Sequence, residues 1–195
     1  MPEAEKLLND YLDYLEIEKN RSLRTRLNYG RYLQVFFKAQ KIKNLSDIDA
    51  QAVRNFRITL GRPKSNELTL KKITQSYYVI AIRNFLKFLI KRGHRVFSPD
   101  KIELPKLPQR QIEIPSYSDL ERLLAAPRGT DLRSLRDRAI LETLFSTGLR
   151  IAELCGLSRY LDLKRGELTI RGKGEKLRIV FLSTRAKEAI KSYLE

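Results

Sequence analysis

The sequence has no tryptophan, and only one cysteine, one histidine and one methionine among its 195 residues. Cys155 on its own provides neither a disulfide framework nor a zinc cluster, so nothing points to secretion. No apolar run approaches the roughly 20 residues needed to cross a bilayer. Met1-Pro2-Glu3-Ala4 begins no signal peptide, and the expectation is a cytoplasmic chain without a membrane partner. A membrane-surface protein would want a basic amphipathic helix with lipid-facing aromatics, whereas here the aromatics recur at burial spacing.

Acidic residues are also scarce. Lys and Arg number 39 against 23 Asp and Glu, a net charge of +16 with a pI near 10.1. Such a field draws polyanions, so nucleic acid is the first partner to consider. Residues 1–97 hold 20 cations and 9 acids, while 116–195 hold 16 and 11. Two windows lack acids altogether: 19–46 with eight cations and 68–99 with seven. Each overlaps an expected helix, and the two would form one basic surface if those helices lie side by side.

Helical spacing of Leu7, Leu8, Tyr11, Leu12 and Leu15 predicts a first helix over 3–18. Ser22 offers an N-cap for a second, with Tyr29, Tyr32, Leu33, Phe36 and Phe37 inward. A third should start after Ser46 or Asp49, bury Val53, Phe56 and Leu60, and end around Gly61-Arg62-Pro63. The fourth is expected from about Thr69 to Arg92, with Ile73, Tyr77, Ala81, Phe85, Leu86 and Leu89 inward and Gly93 as its stop. Pro99, Pro105, Pro108 and Pro115 then mark an extended connector over 98–115. That divides the chain into a helical domain at 1–97 and a second domain at 116–195. In the second, Ser116 or Ser118 caps a helix, Leu135–Phe145 forms another, and Arg150–Leu157 a third. Period-two spacing around Gly172-Lys173-Gly174 reads as a β-hairpin, and 184–195 as a closing helix.

Two cations sit on turns. Arg150 follows Gly148 where one helix ends and another begins, so its planar fork suits the non-bridging oxygens of a phosphate, or else an ordinary surface ion pair with Glu153. Lys173 lies between two glycines at a hairpin tip, where it can donate a proton to a leaving hydroxyl, touch phosphate or merely be solvated. The run from Gly166 to Lys173 imitates a phosphate loop but fails it: five residues rather than four separate Gly166 from Gly172, Gly174 replaces the hydroxyl residue, and no helix follows.

The stretches Arg136-Asp137-Arg138-Ala139-Ile140-Leu141 and Thr147-Gly148-Leu149-Arg150-Ile151-Ala152-Glu153-Leu154, then Asp162, Gly166, Gly172-Lys173-Gly174, Lys176, Arg178 and Leu182, resemble the tyrosine recombinase or phage integrase family of the Xer kind. Ser22, Thr25, Tyr29, Leu33 and Phe36, with Arg83-Asn84-Phe85-Leu86-Lys87-Phe88-Leu89, are similar to its core-binding domain. The resemblance implies a mainly α fold with a small antiparallel hairpin or sheet: a four-helix SAM-like domain, then part of an α+β catalytic domain. It implies Arg150 as first catalytic arginine, Glu153 as its supporting acid and Lys173 as general acid. It further implies a duplex DNA partner met by Arg21, Arg24, Thr25, Lys71, Lys72, Gln75, Lys176 and Arg178, with Gln75 reading bases. No metal, cofactor or small-molecule substrate is expected, and full-length relatives assemble as tetramers on paired sites.

The family's His-x-x-Arg motif and nucleophilic tyrosine follow the hairpin. Here the only histidine, His94, precedes it, and Tyr193 is the only tyrosine after Lys173, in a helix where packing is the expected role. The chain therefore reads as the first part of such a protein, binding DNA without cutting it. Two other readings remain: a naturally truncated DNA-binding regulator, or a helical module for RNA or acidic protein partners.

Overall fold

The computed structural model describes residues 2–62, 70–105, 112–172 and 174–195. Pro63, Thr69, Pro108 and Lys173, on which the sequence reading leaned, lie outside these. The chain separates into two compact units, Met1–Arg110 and Gln111–Glu195.

In the first unit α1 spans Glu3–Asp13 and runs into a π-turn at Tyr14–Glu18, in which the Lys19 amide donates to the Tyr14 carbonyl at 3.0 Å. Ser22 caps α2 (Leu23–Gln40), its Oγ accepting from the Thr25 amide at 3.4 Å. Of the two candidate caps for α3 (Ala50–Gly61), Asp49 is the one used, accepting from the Ala52 amide at 2.7 Å; Ser46 lies within a short 3-10 turn at Leu45–Asp47. Next comes α4 (Lys72–Lys91), closed by Gly93 at φ +86°, where only a residue lacking Cβ is unstrained. The His94 amide then reaches back to the Leu89 carbonyl at 3.0 Å, the 6→1 closure of such an ending.

Aromatic rings fill the core between these helices. Tyr11 meets Phe85 edge-on at 5.4 Å, Phe36 meets Phe56 at 5.1 Å, and Phe37 meets Phe85 at 5.8 Å. One expectation is corrected: Ile73 and Tyr77 are exposed, and Ser76, Val79 and Ile82 take the inward row of α4. Stepping back by fours from Ala81 rotates the row by about 40° each time, which carries residue 73 off the contact face. The connector's start also differs from an extended segment. Pro99–Lys101 is a 3-10 turn packed on α4, and Ile102 is buried in the first core, an apolar anchor that draws this end inward.

The second unit begins with α5 (Tyr117–Leu124), capped by Ser116. In α6 (Leu132–Thr147) the cap is Asp131, which accepts from the Arg133 and Ser134 amides, so the helix starts three residues before the expected Leu135. Gly148 at φ +62° ends it. The third helix, α7 (Ile151–Cys155), is a single short element rather than one reaching Leu157, since Gly156 caps it. Strands β1 (Glu167–Arg171) and β2 (Leu177–Phe181) pair antiparallel, with Glu167 opposite Phe181 and Arg171 opposite Leu177. Leu168, Ile170 and Val180 face a core shared with Ala186, Ala189 and Ile190 of α8 (Thr184–Leu194), where Tyr193 packs half-buried. Ile179 and Phe181, the neighbours of Val180, point outward, as pleating requires.

Two polar links hold this unit together. Ser146 Oγ donates to the Phe181 carbonyl at 3.0 Å and accepts from the Ser183 amide at 2.7 Å, pinning α6 to the exit of β2. Arg185 pairs with buried Glu142 at 2.7 Å and with Glu121 at 3.1 Å, joining α8 to α6 and α5. No helix among the described residues is long and apolar enough to cross a membrane.

Candidate phosphate site and nucleic-acid face

The turn between α6 and α7 and the strand β2 bring Arg150, Glu153 and Arg178 together. Glu153 lies one turn into α7 and folds back on its start, taking the Arg150 amide on Oε2 at 2.8 Å and the Arg150 guanidinium on Oε1 at 2.9 Å. Arg178, inward-leaning on β2, grips both oxygens of the same carboxylate, Nη1 to Oε1 at 2.9 Å and Nη2 to Oε2 at 2.7 Å. Glu153 is thereby 9% exposed, while the Arg150 side chain remains 67% exposed with most of its donor fork turned to solvent. A Cβ at Gly172 would come within 3.0 Å of Arg178 Nη1, so the glycine before the hairpin tip gives the arginine room to reach across.

Hydrogen bonds from Arg178 and then from the Arg150 amide hold the Glu153 carboxyl down from an ordinary 4.5 to about 2. Because its folded value is the lower, the unfolded chain binds more protons between those two values. The contribution is complete above about 4.5 and is lost as pH falls towards 2. Glu153→Gln should remove that contribution: its thermal midpoint should already be lowered at neutral pH and should decline less steeply than the wild type's between pH 4.5 and 2, where Asp47, Asp119 and Asp131, also held low by hydrogen bonds, supply the rest. An acid series of melting curves checks this, and superimposable profiles would contradict the pairing.

For the other expected site residues, Lys176 is exposed beside the hairpin turn, whereas Arg178 has both terminal nitrogens on Glu153. Lys173 is outside the described residues. The helix-end field expected at Arg150 is small, because α7 has only five residues.

On the first unit, α2 and α4 pack side by side, with Tyr32 and Tyr78 in ring contact at 4.7 Å and Asn84 donating to the Tyr29 hydroxyl at 3.0 Å. The two acid-free windows therefore adjoin. Arg21 and Arg24 are exposed near the start of α2, and Lys71 and Lys72 are exposed at the start of α4. Thr25 shares a hydroxyl contact with Ser22 at 3.0 Å. Gln75 donates to the Leu70 carbonyl at 2.7 Å, so its amide is engaged with the entry to its own helix. Arg26, in the same window, pairs with Asp13 and Glu16 and adds little net charge there. Among the described residues no group of His, Cys, Asp and Glu could hold a metal ion.

Residues 8–93 match the model described as phage integrase, N-terminal SAM-like domain, and 116–195 match that of the phage integrase family. The tyrosine recombinase XerC of Pelobacter propionicus is 37% identical over 191 residues, covering 93% of this chain and 61% of that protein. XerC of Bacillus subtilis is 29% identical, covering 100% and 64%, and XerD of Halalkalibacterium halodurans is 31% identical, covering 96% and 63%. The chain thus spans a little over three-fifths of the length of these relatives. The solved XerH recombinase bound to its difH substrate superposes with a TM-score of 0.56 at 23% identity, over 94% of this chain and 53% of that one, a likeness of fold. With both units matched in order and the Arg150 turn intact, the chain belongs to the phage integrase family, as a Xer-like tyrosine recombinase.

Proposed function

We propose that this chain is the DNA-binding portion of a site-specific tyrosine recombinase, and that it binds duplex DNA without cleaving it. The carrying observation is the adjacency of α2 and α4, which joins two acid-free windows into one cationic face. Arg21, Arg24, Lys71 and Lys72 on that face position the phosphate backbone. Thr25 and Gln75 lie in the same two stretches, and Gln75 reads a base edge by exchanging the Leu70 carbonyl for it.

In the second unit Arg150 donates to the non-bridging oxygens of one phosphodiester, held by Glu153 and, through it, by Arg178. Lys176 adds a further phosphate contact. In the whole protein a tyrosine attacks that phosphorus to leave a 3′-phosphotyrosine, Lys173 protonates the departing 5′-hydroxyl, and four copies assemble on paired sites. This sequence contains no His-x-x-Arg, and Tyr193 packs against Ile190 and its neighbours in the second core.

Incubation with a nicked suicide duplex should therefore yield no covalent complex on a denaturing gel. An adduct mapping to Tyr193 would overturn the proposal of binding without cleavage.

A further inference from the structure

The Glu153 carboxylate is fully occupied. Its two oxygens offer about four lone-pair sites in all. The Arg150 amide and Arg178 Nη2 take Oε2 at 2.8 and 2.7 Å, while Arg150 Nη1 and Arg178 Nη1 take Oε1, each at 2.9 Å. With two donors on each oxygen, no site is left for a further one. The Arg150 guanidinium therefore gives this carboxylate a single N–H, and it makes no other hydrogen bond among the described residues.

Arg150 and Glu153 stand three residues apart at the start of α7, a spacing at which their side chains meet without help. Removing Arg178 would open one site on each oxygen, the arrangement that a guanidinium fills with two parallel bonds. Glu153 is 9% exposed, and an unfilled acceptor with so little access to water is costly. Arg150, already bonded to Oε1, has the donors to fill both sites. A fork drawn onto the carboxylate in that way is lost to a phosphate.

We propose that Arg178 is a positioning residue for Arg150: by filling both oxygens of Glu153 it denies them to the Arg150 fork, which stays open to a phosphodiester. This role rests on the reading of Arg150 as a phosphate donor. Arg178 itself does not touch the phosphate and acts through the carboxylate alone. The arrangement also ties two elements together, since Arg178 belongs to β2 and Arg150 to the turn between α6 and α7. Displacing the hairpin from α7 closes the fork, and returning it opens the fork again. Glu153 titrates at about 2, so the carboxylate is ionised and the arrangement holds throughout the neutral range.

Fluorescence anisotropy of the whole chain on a labelled duplex near 0.15 M salt tests this by comparing backgrounds. Arg178→Ala should weaken binding about tenfold, the worth of one charge-assisted contact. With Glu153→Gln already present, the same change should cost no more than about twofold, because no carboxylate remains to draw Arg150 in. The Gln side-chain carbonyl can still accept from the Arg150 amide, so the turn keeps its cap. With Arg150→Ala already present, losing Arg178 should again cost no more than about twofold. Arg178→Lys keeps the charge without the planar fork and should still lose at least about threefold. Circular dichroism establishes that each variant folds. Should Arg178→Ala not fold, Arg178→Lys in the same backgrounds makes the same comparison.

Equal losses with and without Glu153→Gln would mean that Arg178 acts as a plain charge or as a brace for the hairpin, and would overturn the role assigned to it. Losses that add to that of Arg150→Ala would mean that Arg178 meets DNA directly, which overturns it equally. So would Arg178→Lys binding like the parent. If Arg150→Ala leaves affinity unchanged, the assignment of Arg150 to a phosphate falls first and takes this role with it, whereas a loss there with additive losses at Arg178 removes this role alone.

Discussion

Duplex DNA affinity should fall about a thousandfold between 50 and 200 mM salt, the response of a protein that neutralises about six phosphates. The number follows from the exposed cations assigned to the interface: Arg21, Arg24, Lys71 and Lys72 on the first unit, Arg150 and Lys176 on the second. Arg178 is left out because Glu153 already occupies it. Each neutralised phosphate contributes about 0.9 to the log–log slope, giving a slope of about −5. Lys71→Ala with Lys72→Ala should make that slope shallower by about two and weaken all sequences alike. Fluorescence anisotropy across a salt series measures both. A flat response, or a slope unchanged by losing the two lysines, would remove the α2–α4 face from the interface. RNA or an acidic protein competing better than duplex DNA would favour a helical module for those partners.

Phe85→Ala should cost the first unit about 3–5 kcal/mol, a large share of the stability of a domain of this size. Phe85 is fully buried where three helices meet, touching Tyr11 of α1 and Phe37 of α2. Removing its ring opens a cavity between helices that cannot all close in at once. Tyr77→Ala, about two turns earlier on the same helix but exposed, should cost no more than about 0.5 kcal/mol. Urea titrations followed by far-ultraviolet dichroism separate the two. Similar losses at both positions would mean that α4 turns a different face to the core.

The contrast between those residues marks how far a sequence can be read. Local rules sufficed where a few neighbouring atoms decide the outcome: Ser22 and Ser116 as caps, Gly93 and Gly148 as stops, and the hairpin around Gly172. They missed Asp131, although its carboxylate and Ser134 are the acceptor and donor of a helix start, because Leu135 was the first residue in phase with the apolar row. They also misassigned Ile73 and Tyr77, since a row by fours and a row by threes diverge over two turns and only the partner helices choose between them.

At the site, Arg150 and its pairing with Glu153 were legible from a spacing of three. Arg178 was picked out as a DNA contact, but its grip on Glu153 was not foreseen: it stands 25 residues from that carboxylate, and only the strand register and the bare Cα of Gly172 bring it across. For the same reason a basic count over 19–46 overstates the face, because Arg26 is matched by Asp13 and Glu16 from the preceding helix.

The shared carboxylate of Glu153 has an arithmetic consequence. Two guanidiniums and one carboxylate sum to a single positive charge, equal and opposite to that of a resting phosphodiester. Such a trio has nothing in reserve for the second negative charge that accumulates when a fifth oxygen approaches phosphorus. It holds the resting linkage in electrical balance and leaves any further compensation to groups arriving from elsewhere.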